Sequence, residues 1–154
     1  MKISKKGEYG IRALCHLAER HGQGVVQIRE IADLESIPWK FLEGILLQMK
    51  SAGWVRSRRG IEGGYALARE PKAITLAEVI RLLDGPLAPM GSAAELRDLM
   101  QRNPRHAGFY EILMDVRDSA AAILDRTTLA DVVERNRRHR GRQGSDVAGV
   151  TPRR

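Results

Sequence analysis

The stretch at residues 37–67 constrains the fold more than any other part of the sequence. Apolar residues recur at helical spacing after Pro38, and Gly53 then suits the end of a helix. Two short segments rich in β-formers follow, separated by the basic, glycine-rich sequence RRGIEGG. The pattern predicts a helix with Pro38 at its first position, a turn and a β-hairpin. The inward face of that helix is predicted to consist of Phe41, Leu42, Ile45, Leu46 and Met49.

A helix followed by a basic hairpin is the layout of a winged helix-turn-helix. Such a helix can enter the major groove of DNA while the hairpin reaches the backbone or the minor groove. Two further helices are predicted before it, one capped by Ser4 and ending near Arg20, the other from Ile28 to Leu34. The expected fold class is therefore mainly α with a small β-hairpin wing.

The part of the chain beyond the hairpin predicts a long helix with an apolar seam. Thr75 and Glu78 have the spacing of a capping box and open a connecting helix. Asn103 and Pro104 suit the cap and first turn of a helix that runs to about residue 125. We interpret its seam as a dimerisation surface, with packing against its own domain as the alternative. The predicted seam consists of Phe109, Ile112, Leu113, Val116, Ala120, Ile123 and Leu124.

Charge is distributed unevenly along the 154 residues. Residues 1–72 carry 13 Lys and Arg against 8 Asp and Glu, residues 73–134 carry 6 against 10, and residues 135–154 carry 7 against 1. Basic ends and an acidic middle indicate nucleic acid as one partner and protein as another. We therefore divide the chain into a DNA-binding domain (1–72), a connecting helix, sensor-type loop and dimerisation helix (73–134), and a basic disordered tail (135–154).

Several function classes are disfavoured by composition. Cys15 is the single cysteine, so one chain can form neither an internal disulfide nor a multi-thiolate site, and we expect its thiol to pack as a small apolar group. No apolar run approaches the roughly 20 residues of a membrane helix, and the N-terminus lacks an apolar signal core, which favours a cytoplasmic location without membrane contact. Gly63 and Gly64 lie in a hairpin rather than at a helix start, so they form no nucleotide motif. With no catalytic constellation in the sequence, we do not expect an enzyme.

Several motifs together resemble the Rrf2 family of bacterial transcription regulators. They are A-G-W-V at 52–55, R-G-x-x-G-G-Y at 59–65, I-T-L-x-x-V-I at 74–80 and T-L-A-D-V at 128–132. The resemblance covers nearly all of residues 1–134. It implies a homodimeric winged-helix protein whose long helices cross at the dimer interface and whose two reader helices bind a partly palindromic operator in double-stranded DNA. Repression is the expected sign of regulation.

The resemblance also implies roles for individual residues. Glu43 is placed at base edges, where a carboxylate can accept from cytosine N4. Arg59 matches a wing arginine that enters the minor groove, where the negative potential is concentrated. Arg58 is expected at a phosphate, and Trp39 and Gly44 are unusual on this helix, which leaves the operator preference open. The predicted DNA-binding residues are Ser4, Tyr9, Pro38, Trp39, Lys40, Glu43, Arg56, Arg58, Arg59, Gly60, Gly63, Gly64 and Tyr65.

Many members of this family hold an iron–sulfur cluster through three cysteines that precede the long helix. The corresponding positions here are Ser92, Asp98 and Pro104, so we expect neither a conventional cluster nor another cofactor. Two alternatives remain: metal or cluster sensing through non-cysteine ligands such as Glu8, Asp98 and His106, and a protein-interaction module that has lost operator specificity. A small molecule or partner protein bound near residues 85–105 would be the signal, if there is one.

Overall fold

The computed structural model describes residues 3–85 and 91–147, with side chains as far as residue 142 in the last helix. Helices dominate, and a two-stranded antiparallel hairpin is inserted after the third helix, which confirms the predicted fold class. The elements are α1 (Lys5–Glu19), α2 (Ile28–Glu35), α3 (Trp39–Ser51), β1 (Val55–Arg58), β2 (Gly64–Leu67), α4 (Leu76–Asp84), α5 (Ala93–Arg102), α6 (Ala107–Arg126) and α7 (Leu129–Val147), with 3-10 turns at Pro71–Ala73 and Pro104–His106.

Helix α3 differs from the prediction at two residues. Pro38 is the N-cap rather than the first helical residue, since its ψ of 122° is extended and its carbonyl accepts from the amides of Phe41 and Leu42. Phe41 was predicted to point inward, but 45% of it is exposed. It lies at the margin of the apolar stripe, where its ring meets Tyr9 edge-on with centroids 5.8 Å apart. The other four residues of the stripe are buried, and Gly53 follows the helix with a φ of +76°, as a C-terminal glycine does.

The hairpin is joined to the connection before α2. β1 and β2 pair in a register that runs from Val55 opposite Leu67 to Arg58 opposite Gly64. Val26 then adds a one-residue bridge, because its amide donates to the carbonyl of Tyr65 and its carbonyl accepts from the amide of Tyr65, both at 2.8 Å. This bridge fixes the hairpin relative to α2 and α3.

One hydrophobic core extends across the predicted boundary at residue 72. Leu14 and Leu46 of the first three helices share it with Val79 of α4 and with Leu129 and Val133 of α7. The start of α7 is tied to the start of α4 by backbone hydrogen bonds, from Leu76 to Thr127 and from Leu129 to Ile74. The predicted Thr75–Glu78 capping box is present at the start of α4. The two predicted parts are therefore packed on each other.

The predicted disorder of residues 135–154 is wrong for residues 135–147, because α7 continues to Val147. Two contacts explain the helix. Arg138 pairs with Glu134 one turn earlier at 3.0 Å, and the guanidinium of Arg140 binds the carboxylate of Glu19 on α1. Since arginine also has a high helix propensity, these contacts favour a helix in a segment without an apolar stripe. Residues 148–154 lie outside the described part of the chain.

The long helix begins later than predicted and has no buried residue. Asn103 ends α5, with its side-chain amide donating to the carbonyl of Leu99, instead of capping the long helix. Pro104 begins a 3-10 turn, and His106 is the residue before α6.

Within residues 3–85 and 91–147, no helix has the combination of length and apolar content that a membrane crossing requires.

Candidate nucleic-acid interface

The N-terminal half of α3 presents its polar face to solvent. Trp39, Lys40 and Glu43 are exposed, and so is Pro38. The Lys40 ammonium lies 5.9 Å from the centre of the Trp39 ring, so a cation and a large aromatic surface stand side by side. Apart from the neighbouring backbone of α3 itself, no described atom lies within 4 Å of a Cβ placed at Gly44. The face is open to a major groove along the first two turns of the helix.

Tyr9 and Ser4, both predicted to bind DNA, have contacts within the chain. Tyr9 is half-buried against Phe41, and the Arg12 guanidinium lies 5.9 Å from its ring centre. Tyr9 therefore positions α1 against the start of α3. The Ser4 hydroxyl accepts from the amide of Gly7 and donates to the carboxylate of Asp84, which fixes the start of α1 to the end of α4. DNA binding by Ser4 remains a prediction, and the proton of the Ser4 hydroxyl is already donated to Asp84 in this arrangement.

The two wing arginines differ in their surroundings. Arg58 donates to the carbonyl of Glu62 across the hairpin loop at 2.8 Å. Arg59 is exposed and makes no hydrogen bond or ion pair with any residue that the structure describes. Arg56 is exposed on β1 and is not part of the lining of the cleft described next. Of the two arginines in the wing loop, Arg59 is thus the one that remains available to a ligand.

A cleft of about 520 Å³ lies between α2, the outer face of α3 and the wing. Its lining includes the predicted Arg58 and Arg59, and also Arg29, Leu47 and Lys50, which the sequence interpretation missed. Leu47 and Lys50 lie four and seven residues after Glu43, so helical spacing could have placed them on the same face. Lys50 donates to the Ser57 hydroxyl at 2.6 Å and thereby links α3 to the wing. The cleft joins the helix and the wing into one basic surface.

Three glycines of the wing disfavour a side chain for different structural reasons. Gly60 has a φ of +110°, a region that side chains avoid. Gly63 and Gly64 do not adopt a positive φ. A Cβ at Gly63 would lie 2.4 Å from the carbonyl oxygen of Arg58, and one at Gly64 would lie 2.3 Å from that of Val26. Close packing of the chain on itself therefore accounts for these two glycines, and contact with DNA remains a prediction.

Tyr65 of the hairpin interacts electrostatically with Glu43 of α3, the helix predicted to read DNA (the reader helix). Its side chain is half-buried, and its backbone forms the bridge to Val26. Burial, with a smaller contribution from the negative charge of Glu43, raises the pKa of the Tyr65 phenol. The phenol therefore stays protonated at neutral pH and can donate a hydrogen bond on this surface.

The residues at the family's cluster positions have other partners. Ser92 caps α5 by accepting from the amide of Glu95, and Asp98 pairs with Arg102 at 2.9 Å. Glu8 pairs with Lys5 at 2.8 Å, and this hydrogen bond lowers the pKa of Glu8. Within the described ranges, 3–85 and 91–147, no three His, Cys, Asp or Glu residues are grouped as metal ligands would be. Glu8, Asp98 and His106 are therefore not brought together.

The thiol of Cys15 does not supply the missing donor. It is buried on α1, and burial, with smaller contributions from Glu19 and Glu35, raises its pKa to about 12. A neutral thiol is a poor metal ligand, because the thiolate is the coordinating form. Iron–sulfur clusters are held mainly by thiolates, so the donor set of this chain does not fit one.

Comparison with known proteins identifies the class to which this surface belongs. Residues 3–135 match the family model Rrf2, described as an iron-dependent transcriptional regulator. The HTH-type transcriptional regulator CymR of Bacillus subtilis is 37% identical over 132 residues, which cover 86% of this chain and 89% of CymR.

Solved structures agree with the sequence match. The structure of CymR (YrzC), named the global cysteine regulator of B. subtilis, superposes with a TM-score of 0.74 at 34% identity and covers 87% of this chain and 97% of CymR. IscR of T. potens superposes with a TM-score of 0.66 at 30% identity and covers 99% of this chain and 94% of that one. These matches confirm a DNA-binding regulator rather than an enzyme, and the chain belongs to the Rrf2 family of winged-helix transcription regulators.

Proposed function

We propose that this protein is a cytoplasmic, homodimeric repressor that recognises a specific, partly palindromic DNA sequence without an iron–sulfur cluster. The observation that carries the proposal is an apolar stripe on α6 that the chain leaves exposed. Phe109, Ile112, Val116 and Ile123 are 59%, 61%, 46% and 51% exposed. They fall at the first and fourth positions of a seven-residue repeat, the pattern by which helices pair.

The rest of the predicted seam has a different environment. Leu113, Ala120 and Leu124 are half-buried, on the side of α6 that packs on α4 and α5 within the chain. Arg81 of α4 holds Asp125 of α6 with two hydrogen bonds, at 2.7 and 3.3 Å. The intramolecular alternative thus accounts for one side of α6 only. A second copy of the chain would cover the exposed side and place two reader helices on one duplex.

Each protomer would read one half-site in two ways. Lys40 and Glu43 would face the major groove, Lys40 as a donor and Glu43 as an acceptor. Arg59, which has no partner among the described residues, would enter the adjacent minor groove. Ser92 and Asp98 supply no thiolate and the Cys15 thiol is buried, so the signal, if there is one, would be a small molecule or a partner protein instead of a cluster.

Dimerisation is tested by placing a charge on the stripe. We expect Ile112→Asp to convert the dimer to a monomer, because a carboxylate would be buried without a partner in the interface. Leu34→Asp is the matched control, since Leu34 is 63% exposed but lies on α2. Sedimentation equilibrium gives the mass. A monomeric wild type, or a dimeric Ile112→Asp variant, would contradict the proposal.

Sequence recognition is tested with purified full-length protein and a pool of random duplexes. Enrichment of a palindromic motif, bound at least about 1000-fold more tightly than random DNA, supports a specific regulator. Equal binding to all duplexes would instead favour an interaction module. In vitro transcription from a promoter that overlaps the motif then determines the sign of regulation, and a repressor is expected to reduce the transcript.

The proposed absence of a cluster is tested by iron and sulfide assays. Near-stoichiometric iron and sulfide in anaerobically purified protein would overturn it.

A further inference from the structure

The tip of the wing carries an isoleucine whose side chain is not packed into the fold. Ile61 is 99% exposed, between Gly60 and Glu62 in the loop that joins β1 and β2. A side chain this exposed contributes nothing to the core, and it presents its full apolar surface to whatever the wing meets.

Backbone contacts hold this tip in a defined shape. The amide of Gly63 donates to the carbonyl of Gly60 at 2.9 Å and closes a four-residue turn with Ile61 and Glu62 at its corners. Arg58 reaches across the loop to the carbonyl of Glu62 at 2.8 Å. The side-chain amide of Gln27, the N-cap residue of α2, donates to the carbonyl of Ile61 at 3.5 Å. Little ordering is left to occur on binding, so the exposed side chain is pre-positioned.

We propose that Ile61 is an apolar wedge that enters the minor groove and partly unstacks one base step. The inference rests on the proposed function, specific DNA binding, and adds a residue that acts on DNA shape. Arg58, Arg59, Ile61 and Glu62 line one surface at the wing tip. When the wing places the unpaired Arg59 in the minor groove, where the potential is negative, it therefore carries Ile61 into the same groove. There the side chain would lie between the apolar faces of the sugars.

The wedge has a consequence for sequence preference. Apolar side chains that insert between base pairs kink DNA, and pyrimidine–purine steps such as TA and CA unstack most easily. The operator is therefore expected to carry such a step under each wing. This preference would arise without a hydrogen bond to a base, so it is distinct from recognition by α3.

The experiment uses full-length protein and a duplex selected by the wild type from a random pool. 2-Aminopurine replaces adenine at the step under the wing, and dyes at the two ends report bending by energy transfer. Wild type is expected to raise 2-aminopurine fluorescence and to shorten the end-to-end distance. Ile61→Ala is expected to abolish both signals and to reduce the preference for TA over AA at that step by about tenfold.

Glu62→Ala is the matched control, because Glu62 is the neighbouring exposed corner of the same turn. It is expected to keep the fluorescence and the bend while removing a charge that repels phosphate. An Ile61→Ala variant with wild-type fluorescence, bend or step preference would overturn the wedge. Failure of specific binding itself has a different signature, since the wild type would then enrich no sequence from the pool.

Discussion

A glycine-to-alanine substitution at Gly64 tests how the wing is fixed to the domain. The added Cβ would lie 2.3 Å from the carbonyl oxygen of Val26 and 2.6 Å from its carbonyl carbon. Both are backbone atoms, so neither can rotate away. Because a carbon–oxygen contact needs about 3.3 Å, the hairpin must move by about 1 Å relative to Val26.

The cost follows from what that movement breaks. Val26 and Tyr65 exchange two backbone hydrogen bonds of 2.8 Å. Each such bond contributes about 0.5–1.5 kcal/mol, so we expect Gly64→Ala to lower the free energy of unfolding by about 1–3 kcal/mol. The wing would also be displaced from α3, so specific DNA binding should weaken with stability.

Urea unfolding followed by circular dichroism measures the effect. Gly44→Ala is the control, because Gly44 lies in a helix with no atom within 4 Å of the added Cβ. It should raise the free energy of unfolding by about 0.5–1 kcal/mol through helix propensity. If Gly64→Ala keeps wild-type stability but loses DNA binding, Gly64 serves the DNA contact and the packing explanation is wrong.

Three further predictions concern single side chains. Arg59→Ala should weaken binding to selected DNA by about 1–3 kcal/mol in fluorescence anisotropy, and an equal loss on random DNA would argue against a specific role. Hydrogen bonding from the Thr75 amide lowers the pKa of Glu78, so its stabilisation is present above pH 4.5 and is lost as the pH falls through the folded pKa. The advantage of wild type over Glu78→Gln in urea should therefore shrink in acid. With a pKa of about 12, Cys15 should react with iodoacetamide at pH 8 only after unfolding.

Local signals account for the parts of the fold that the sequence predicts. The stripe through Leu42 and Met49, the capping box at Thr75 and the glycine after α3 are each determined by residues within one or two helical turns. Phe41 shows the limit of this reasoning. It satisfies the same spacing as Leu42, but whether the margin of a stripe is covered depends on Tyr9 of another helix.

Long-range contacts explain what was missed at the interface. The Val26 bridge joins residues separated by the whole reader helix, so no local pattern indicates it. Arg58 and Arg59 are equivalent in sequence, and only the path of the loop assigns Arg58 to the Glu62 carbonyl. The helix at residues 135–147 depends in part on Glu19 of α1, and composition alone cannot indicate such a contact.

The distinction between paired and unpaired cations also predicts the salt dependence of binding. Net charge is +7 per chain, which would suggest a log–log slope of about −13 for a dimer. Among the described cations of the cleft and the outer face of α3, however, Arg29, Lys40 and Arg59 make neither an ion pair nor a hydrogen bond, whereas Lys50 and Arg58 donate to oxygens of the chain and cations such as Arg81 are neutralised by carboxylates. Only unpaired cations displace counterions fully, and six per dimer at about 0.9 each give a slope of about −5. Binding titrations between about 50 and 300 mM salt measure the slope. A slope of about −13 would mean that the paired arginines, including those of α7, open to contact phosphate.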